Sequence, residues 1–435
     1  MIPAPGAAVW DAGFRSLWAE TSREPAPDCP PLAGEVTADV LVIGAGYAGL
    51  SAAIHLADRG ARVVVLEAEA PGHGGSGRNG GQVIPGIRHF RQDCVDAFGA
   101  ERGDRLYRFG AGAQDAVWSF IDRFAIACDD VRRGWVQAAH GAASLALGRQ
   151  RAAAWQRFGA PVELLDAAAI ARLTGSHEYV GGFVDRRGGH LNPLAYARGL
   201  ARGALSLGVA VHGASRVTAL AADGPGFLAR TAGGAVRARR VVVATTGYSD
   251  GLIPGLSASI LPVQSFQVAT APLSAGQRGR ILANGEAVSD TRNLLRYFRL
   301  DRDGRLVVGG RGTLRPARGL ASFSLVRMTL GKLYPELADA PITHWWGGFV
   351  AVALPERWPR LHQPAPGLFV SMGCNGKGVA WASAFGSVLA DAALGAAEAS
   401  LPLPVTPVPR IPLPALRRIY QAIGTAWYRL LDARG

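Results

Sequence analysis

Three patterns of apolar and polar positions recur along this 435-residue chain. The first is a short run that is apolar at every interior position. Asp39-Val-Leu-Val-Ile43, Arg62-Val-Val-Val-Leu66 and Arg240-Val-Val-Val-Ala244 are of this kind, each of strand length. A strand covered on both faces reads this way, as in a parallel sheet packed by helices. The second pattern is helical spacing, in the residues that follow Gly49 to Ala57, in Val117-Trp118, Ile121 and Phe124-Ala125, and in Leu194 to Leu207 before Gly208. Residues 91–180 read mainly as helices of this type. The third is alternation, seen in Ser265-Phe-Gln-Val-Ala-Thr270 and in Arg305-Leu-Val-Val-Gly-Gly-Arg311, and it predicts antiparallel strands. Val209 to His212 and Arg216 to Leu220 supply further short strands, and Ile342 to Val350 continues the same region.

Taken in order, these elements predict an α/β protein of two intertwined domains. A discontinuous Rossmann-like domain takes residues 34–90, 187–255 and 362–400, and an α+β domain on an antiparallel sheet takes 91–186 and 256–361. Residues 1–33 form a Pro-rich, mostly extended arm whose Trp10 and Trp18 pack on the body. Residues 401–435 form a Pro-rich tail and a helix from Leu416 to Leu431. On that helix Ile419, Ile423, Trp427 and Leu430 share a face near Arg417 and Arg418. Docking on the protein's own surface and weak peripheral membrane contact both suit such a face.

Composition narrows the class. An apolar share of 49% with 18% charged residues fits a soluble globular chain. No apolar run approaches the ~18 residues that span a bilayer, and the start lacks the marks of a secretory signal. Cys29, Cys94, Cys128 and Cys374 are far apart, which suggests neither a metal site nor a disulfide framework, and the cytoplasm is the expected compartment. The formal charge is +13, but of the 46 basic residues only Lys332 and Lys377 are lysines, so 44 are arginines. They are scattered without a basic run longer than two, so nucleic acid is not an expected partner.

The candidate chemistry centres on the first apolar strand. It runs into Gly44-Ala45-Gly46-Tyr47-Ala48-Gly49 and then into a helix. In such a turn the first glycine permits the bend, the second admits a pyrophosphate and the third lets helix and strand approach. The helix start adds unpaired N–H groups and a positive dipole end. Glu67 closes the next strand 18 positions after Gly49, near the ~20 expected of the acid that holds a ribose hydroxyl. A glycine-rich stretch follows, Gly72-His-Gly-Gly-Ser76-Gly-Arg78-Asn79-Gly80-Gly81, which can offer backbone N–H groups to an anion or a planar ring. Near the end, Gly367-Leu-Phe-Val-Ser-Met-Gly373-Cys-Asn-Gly376-Lys377-Gly378-Val379 gives a strand, a glycine-rich basic loop and a helix through Asp391.

Glu67 followed by Ser76 to Gly81 resembles the FAD-dependent oxidoreductases of the D-amino-acid oxidase superfamily, especially their γ-glutamylputrescine oxidase-like branch. Gly75 stands where that family usually has alanine. The resemblance implies FAD, held without a covalent bond, along Gly44 to Gly49, Glu67, Ala68, Gly75, Ser76, Arg78, Asn79, Gly80 and Gly81. It implies further contacts from Val217 beside the adenine, from Ala244, Thr245 and Gly247, and from the last loop through Gly373, Asn375, Gly376, Lys377, Gly378 and Val379. Lys377 stands where relatives carry His or Arg, facing the N1/C2=O edge of the flavin, and is the expected electrostatic stabiliser. Tyr297 and Arg311, on or beside the alternating strands, are candidates to meet a substrate carboxylate or amide.

The implied reaction is oxidation of a C–N bond in an amine or amino acid, a γ-glutamyl amine being one candidate. A hydride equivalent passes to flavin N5 and the imine hydrolyses, with oxygen or a quinone as final acceptor. Two alternatives stay open, an FAD enzyme acting on a modified nucleoside in RNA and an NAD-dependent dehydrogenase on the same glycine turn. The second leaves the loops at Ser76 and Gly376 without a task.

Overall fold

The computed structural model describes residues 16–312, 317–353, 356–409 and 416–433. Strand Gly34–Ile43 is the centre of a nine-stranded sheet. It runs parallel to Val63–Leu66 on one side, with Val40 opposite Val63, and to Gly234–Val243 on the other, with Ile43 opposite Val243. Leu368–Met372 and Ala210–His212 extend the parallel array. The apolar runs Val40–Ile43 and Val63–Leu66 are buried throughout. Helices Tyr47–Ala57, Pro193–Ser206 and Gly378–Ala393 contribute to the core on one face. Ile253, Leu256 and Ile260, with the hairpin of Ala219–Asp223 and Gly226–Arg230, contribute to the core on the other.

Small residues set how closely the helices pack. A Cβ on Gly386 would fall 2.2 Å from Ser51 Oγ, and Ser51 Oγ itself donates to the Ser383 carbonyl at 2.5 Å. The glycine-turn helix is therefore pressed onto the last helix, and their two N-termini open toward the same cavity.

A second sheet of eight strands runs in the order Ile342–Val352, Leu261–Pro272, Arg305–Arg311, Tyr297–Leu300, Ala287–Asp290, Trp135–Ala139, Gly181–Asp185, Val162–Leu165. Its pairs are antiparallel except Ala287–Asp290 with Trp135–Ala139, which is parallel and joins strands from distant parts of the chain. On one face Phe266 and Phe298 pack with Phe323 and Tyr334, which flank helix Ser324–Leu333, in a separate core. Gln82–Val83 and Gly189–His190 form a small ribbon between the two bodies.

Three expectations need correction. Arg216 to Leu220 is not a strand over its whole length, because pairing begins only at Ala219; Val217 lies on the cavity wall instead. The stretch after Gly74 is not all loop, since Gly75–Arg78 makes one helical turn. The arm is extended only in part, because Leu17–Thr21 is helical and buries Leu17 and Trp18. Trp10 and the prolines at 412 and 414 lie outside the described residues.

Candidate functional site

The parallel strands end at a cavity built from the glycine turn outward. Gly44 has φ +104°, and a Cβ there would come to 3.3 Å from the Ala244 carbonyl carbon. A Cβ on Gly49 would fall 1.9 Å from Gly44 O, so only glycine lets the helix sit on its own turn. No side chain caps the helix at Gly46; Tyr47 N donates to Ser76 Oγ at 3.1 Å, and a Cβ on Gly46 would stand 2.8 Å from that same oxygen. Gly44, Gly46, Tyr47 and Ala48 line the cavity. Ala45 acts through its amide, which donates to Glu67 Oε2 at 2.7 Å.

Glu67 and Ala68 also line the cavity. The other Glu67 oxygen accepts from Glu69 N at 3.1 Å, so the carboxylate is fixed before any ligand arrives. Burial pushes its pKa above the ordinary glutamate value, against the hydrogen bonds it accepts.

Gly75, Ser76, Arg78 and Asn79 form the next wall. Asn79 closes the turn: Nδ2 donates to Gly75 O and Ser76 O at 3.0 and 2.8 Å, while Oδ1 accepts from Gly81 N at 2.8 Å. Arg78 bonds back to His73, through Nε to the carbonyl at 2.7 Å and Nη2 to the ring at 3.1 Å. Gly80 and Gly81 lie behind the wall rather than on it. A Cβ on Gly80 would fall 2.7 Å from the Tyr297 ring, whose hydroxyl is bonded to Ser265 Oγ at 2.8 Å. Tyr297 therefore packs beneath the loop and does not face the cavity, contrary to the expectation that it meets substrate.

Four side chains to which the sequence assigned no part in the site clamp this loop. Trp18 Nε1 donates to Asn79 O at 2.8 Å, and Trp346 Nε1 and Gln267 Nε2 donate to Arg78 O at 3.2 and 2.5 Å. Arg299 is 3% exposed and donates to Gly80 O at 2.8 Å and Leu191 O at 2.7 Å, with its guanidinium 4.5 Å over the Trp18 ring. Burial lowers its pKa to about 10.

Val217, Ala244 and Thr245 complete the cavity with Thr246, Tyr248 and Phe349, three residues not foreseen. Gly247 lies under Phe349, 3.4 Å from its Cβ if it carried one itself. From the last loop Cys374, Gly376 and Gly378 line the cavity. Gly373 (φ +78°) and Asn375 (φ +51°) hold the loop's shape. Asn375 Nδ2 donates to Gly373 O at 2.6 Å and Arg357 O at 2.7 Å, while Oδ1 accepts from Ala353 N at 3.0 Å. Val379 is buried in the core.

Lys377 needs the largest correction. Its neighbours on both sides line the cavity, but its ammonium donates to Pro85 O at 2.9 Å and Gly86 O at 3.0 Å, 5.7 Å from the Trp135 ring centre. Burial lowers its pKa to about 7, with nearby arginines adding to the effect. The helix begins at Gly378, and the long side chain finds its acceptors across the loop rather than in the cavity. Arg311 is likewise elsewhere, in a pocket with Arg292, Arg296, Lys332 and Arg429 between the second sheet and the C-terminal helix.

The FAD implied by the sequence fits these residues. An uncapped helix start beside a glycine that a Cβ would obstruct suits a pyrophosphate, and a preset carboxylate at the next strand end suits a ribose. Burial raises the Cys374 thiol above its ordinary range, which keeps it protonated and a poor nucleophile.

Residues 39–392 match the family described as "FAD dependent oxidoreductase". The chain is 33% identical to the gamma-glutamylputrescine oxidoreductase of Escherichia coli (strain K12), covering 97% of this chain and 98% of that one. It is 32% identical to "Probable oxidoreductase OrdL" of Haemophilus influenzae, over 93% and 94% of the two chains. Among solved structures, glycine oxidase from Geobacillus kaustophilus superposes with a TM-score of 0.67 at 21% identity, covering 82% of this chain and 94% of that one, a likeness of fold.

Proposed function

Since the chain belongs to the FAD-dependent oxidoreductase family, we propose that it oxidises the C–N bond of an amine or amino acid, a γ-glutamyl amine being the first candidate. The observation that carries the reading is the cavity where the glycine turn, Glu67 and the last loop converge. The near full-length likeness to a γ-glutamylputrescine oxidoreductase supports the substrate class. Bound FAD supplies the two-electron acceptor for the hydride equivalent lost from carbon.

The chain's own residues do the rest. Glu67 and the Gly44–Gly49 turn bind the nucleotide end, and the clamps from Trp18, Gln267, Arg299 and Trp346 hold the loop at Arg78 to Gly80 rigid. Such chemistry needs a held, neutral amine in a dry site more than a dedicated acid or base. The test pairs product with acceptor: ammonia or an amine should appear with an aldehyde or keto acid, matched by oxygen or quinone consumed. Consumption of either acceptor without carbonyl product would count against C–N oxidation. The flavin is held without a covalent bond in this reading, so acid precipitation should leave the yellow colour in the supernatant; colour in the pellet that Cys374→Ser abolishes would reverse it. Four free cysteines suit a reducing cytoplasm.

The C-terminal helix Arg417–Ala433 supports a second partner, an anionic membrane surface. Among the described residues no helix is long and apolar enough to cross a membrane. This one turns Ile423, Trp427 and Leu430 outward at 64, 54 and 55% exposure, with Ile419 on the same side. An apolar stripe on a strongly basic chain suits weak interfacial binding. The protein should co-sediment with vesicles containing phosphatidylglycerol and release them on Trp427→Ser; equal binding by that variant would remove the helix from the contact.

A further inference from the structure

The pocket that holds Arg311 lies between the end of strand Arg305–Arg311, helix Ser324–Leu333 and the C-terminal helix, and encloses about 340 Å³. Five basic residues line it, Arg292, Arg296, Arg311, Lys332 and Arg429, against one acid, Asp432. That acid is already engaged. It accepts from Asn293 N at 2.7 Å and Leu294 N at 2.9 Å, which pins the end of the helix to the body. Arg292 and Arg296 are also satisfied, by Asp290 at 2.7 Å and Glu178 at 3.0 Å. Arg311, Lys332 and Arg429 come from three separate elements and form no ion pair among the described residues. A cleft lined by one sign of charge concentrates ions of the other sign within it.

The same pocket has an apolar side. Leu295, Leu325 and Met328 line it and are 37, 44 and 60% exposed. On the C-terminal helix Thr425, Arg429 and Asp432 face the pocket at helical spacing. At 3.6 residues per turn, the positions next to Arg429 around the axis are Ala422 and Ala426, both exposed. Beyond them comes the stripe of Ile419, Leu430, Ile423 and Trp427. Apolar surface therefore runs from the edge of the pocket to the stripe without a charge between. A purely polar anion would leave Leu325 and Met328 in water, whereas an anionic amphiphile covers both features.

We propose that this pocket binds the headgroup of an anionic phospholipid, its phosphate held by Arg311, Lys332 and Arg429 and its acyl chains against Leu325, Met328 and the apolar side of the C-terminal helix. The volume suits this division. About 340 Å³ is near the lower end of the ~300–1,000 Å³ of small-molecule sites, and takes a headgroup but not whole chains. Guanidinium and ammonium groups bind phosphate through charge-assisted hydrogen bonds, and the same cations disfavour the choline of a zwitterionic lipid. The inference rests on the proposed contact between the helix and an anionic membrane, and it makes that contact selective for a headgroup rather than for surface charge alone.

Two probes test it on the flavin-loaded full chain. One is vesicles of phosphatidylglycerol in phosphatidylcholine, read by co-sedimentation. The other is dihexanoyl phosphatidylglycerol below its micelle concentration, read by calorimetry. The short lipid should bind once per chain and more tightly than inorganic phosphate. Lys332→Gln and Arg429→Gln, both at exposed positions, should each weaken binding of the two probes on the order of tenfold or more. Arg230→Gln removes one exposed charge from the hairpin beside the other sheet and should bind both probes like the parent. Trp427→Ser should lose vesicles but keep the short lipid. Melting temperature and flavin content show that each variant is folded. Equal loss in Arg230→Gln, or undiminished binding by Lys332→Gln and Arg429→Gln, overturns the site. Inorganic phosphate bound as tightly as the short lipid would make it a site for free anions and overturn the lipid. A dimer in solution that Met328→Ser disperses would give the groove to a second copy of the chain instead. Vesicle binding lost only in Trp427→Ser removes the headgroup site and leaves the membrane contact. If vesicles do not bind but the short lipid does, through Lys332 and Arg429, the membrane contact falls and the headgroup site stands.

Discussion

Gly46→Val and Glu67→Ala should both purify as colourless or nearly colourless protein. At Gly46 the added Cβ lies 2.8 Å from Ser76 Oγ, and the valine methyls project from it beside a helix start that no side chain caps. The change therefore fills the place prepared for the pyrophosphate. Glu67→Ala removes a carboxylate that two backbone amides already hold in position. Each charge-assisted hydrogen bond lost is worth roughly 1.5–3 kcal/mol, so FAD affinity should fall on the order of 10–100-fold. Glu67→Gln keeps an acceptor for the Ala45 amide and should retain more flavin than alanine does. Burial raises the Glu67 pKa, so protonation begins at a higher pH than for an ordinary glutamate. Because the ionised form is the better acceptor for a ribose hydroxyl, FAD retention should weaken as pH falls through that raised value. Flavin-to-protein absorbance ratios across pH measure both effects. Full occupancy in Gly46→Val would mean that the turn does not hold the pyrophosphate.

Lys377→Met should first of all destabilise the protein. Two buried carbonyls, Pro85 O and Gly86 O, lose their donor, at about 1–3 kcal/mol each. A neutral lysine still has N–H donors for both acceptors, so the clamp survives deprotonation. The pH dependence follows from a folded pKa of about 7, well below the ordinary lysine value. Between these values the unfolded chain binds a proton that the folded chain does not, so this residue's contribution to stability rises with pH in that window. It falls again as pH drops toward about 7, and below that it is flat. The stability gap between parent and Lys377→Met should therefore widen from neutral to alkaline pH. Chemical denaturation at several pH values reads this directly. The electrostatic role expected from sequence makes a different forecast, a flavin potential shifted negative and reduction slowed ~10–1,000-fold at unchanged stability. Stopped-flow reduction with potentiometry separates the two, and the hydrogen bonds to Pro85 and Gly86 favour the clamp.

Lys377 also shows where a sequence stops being legible. The glycine turn, Glu67 and the last loop could be recognised because each obeys local rules over a few residues. Gly49 must be glycine because a Cβ would strike Gly44 O at 1.9 Å, a contact five residues away. The direction of a long side chain obeys no such rule. Lys377 reaches a segment almost three hundred positions earlier, and the carbonyls at Pro85 and Gly86 carry no side-chain signal. The clamps are hidden for the same reason. Gln267 and Arg299 bond carbonyls of Arg78 and Gly80 across the junction of two sheets, and an isolated arginine in a strand reads as an ordinary surface residue. One sign was available for Arg299: the alternation of Tyr297–Leu300 turns it to the same face as Tyr297.

The central claim is that this chain is an FAD enzyme that takes electrons from a C–N bond. It is tested most directly by recording the visible spectrum of the purified holoenzyme under anaerobic conditions while candidate substrates are added. The account predicts absorption bands near those of free flavin, bleached in proportion to added γ-glutamyl amine or amino acid and restored by oxygen or a quinone. A colourless protein that turns over nicotinamide would contradict it. So would a yellow protein that no amine, D- or L-amino acid or γ-glutamyl amine can bleach.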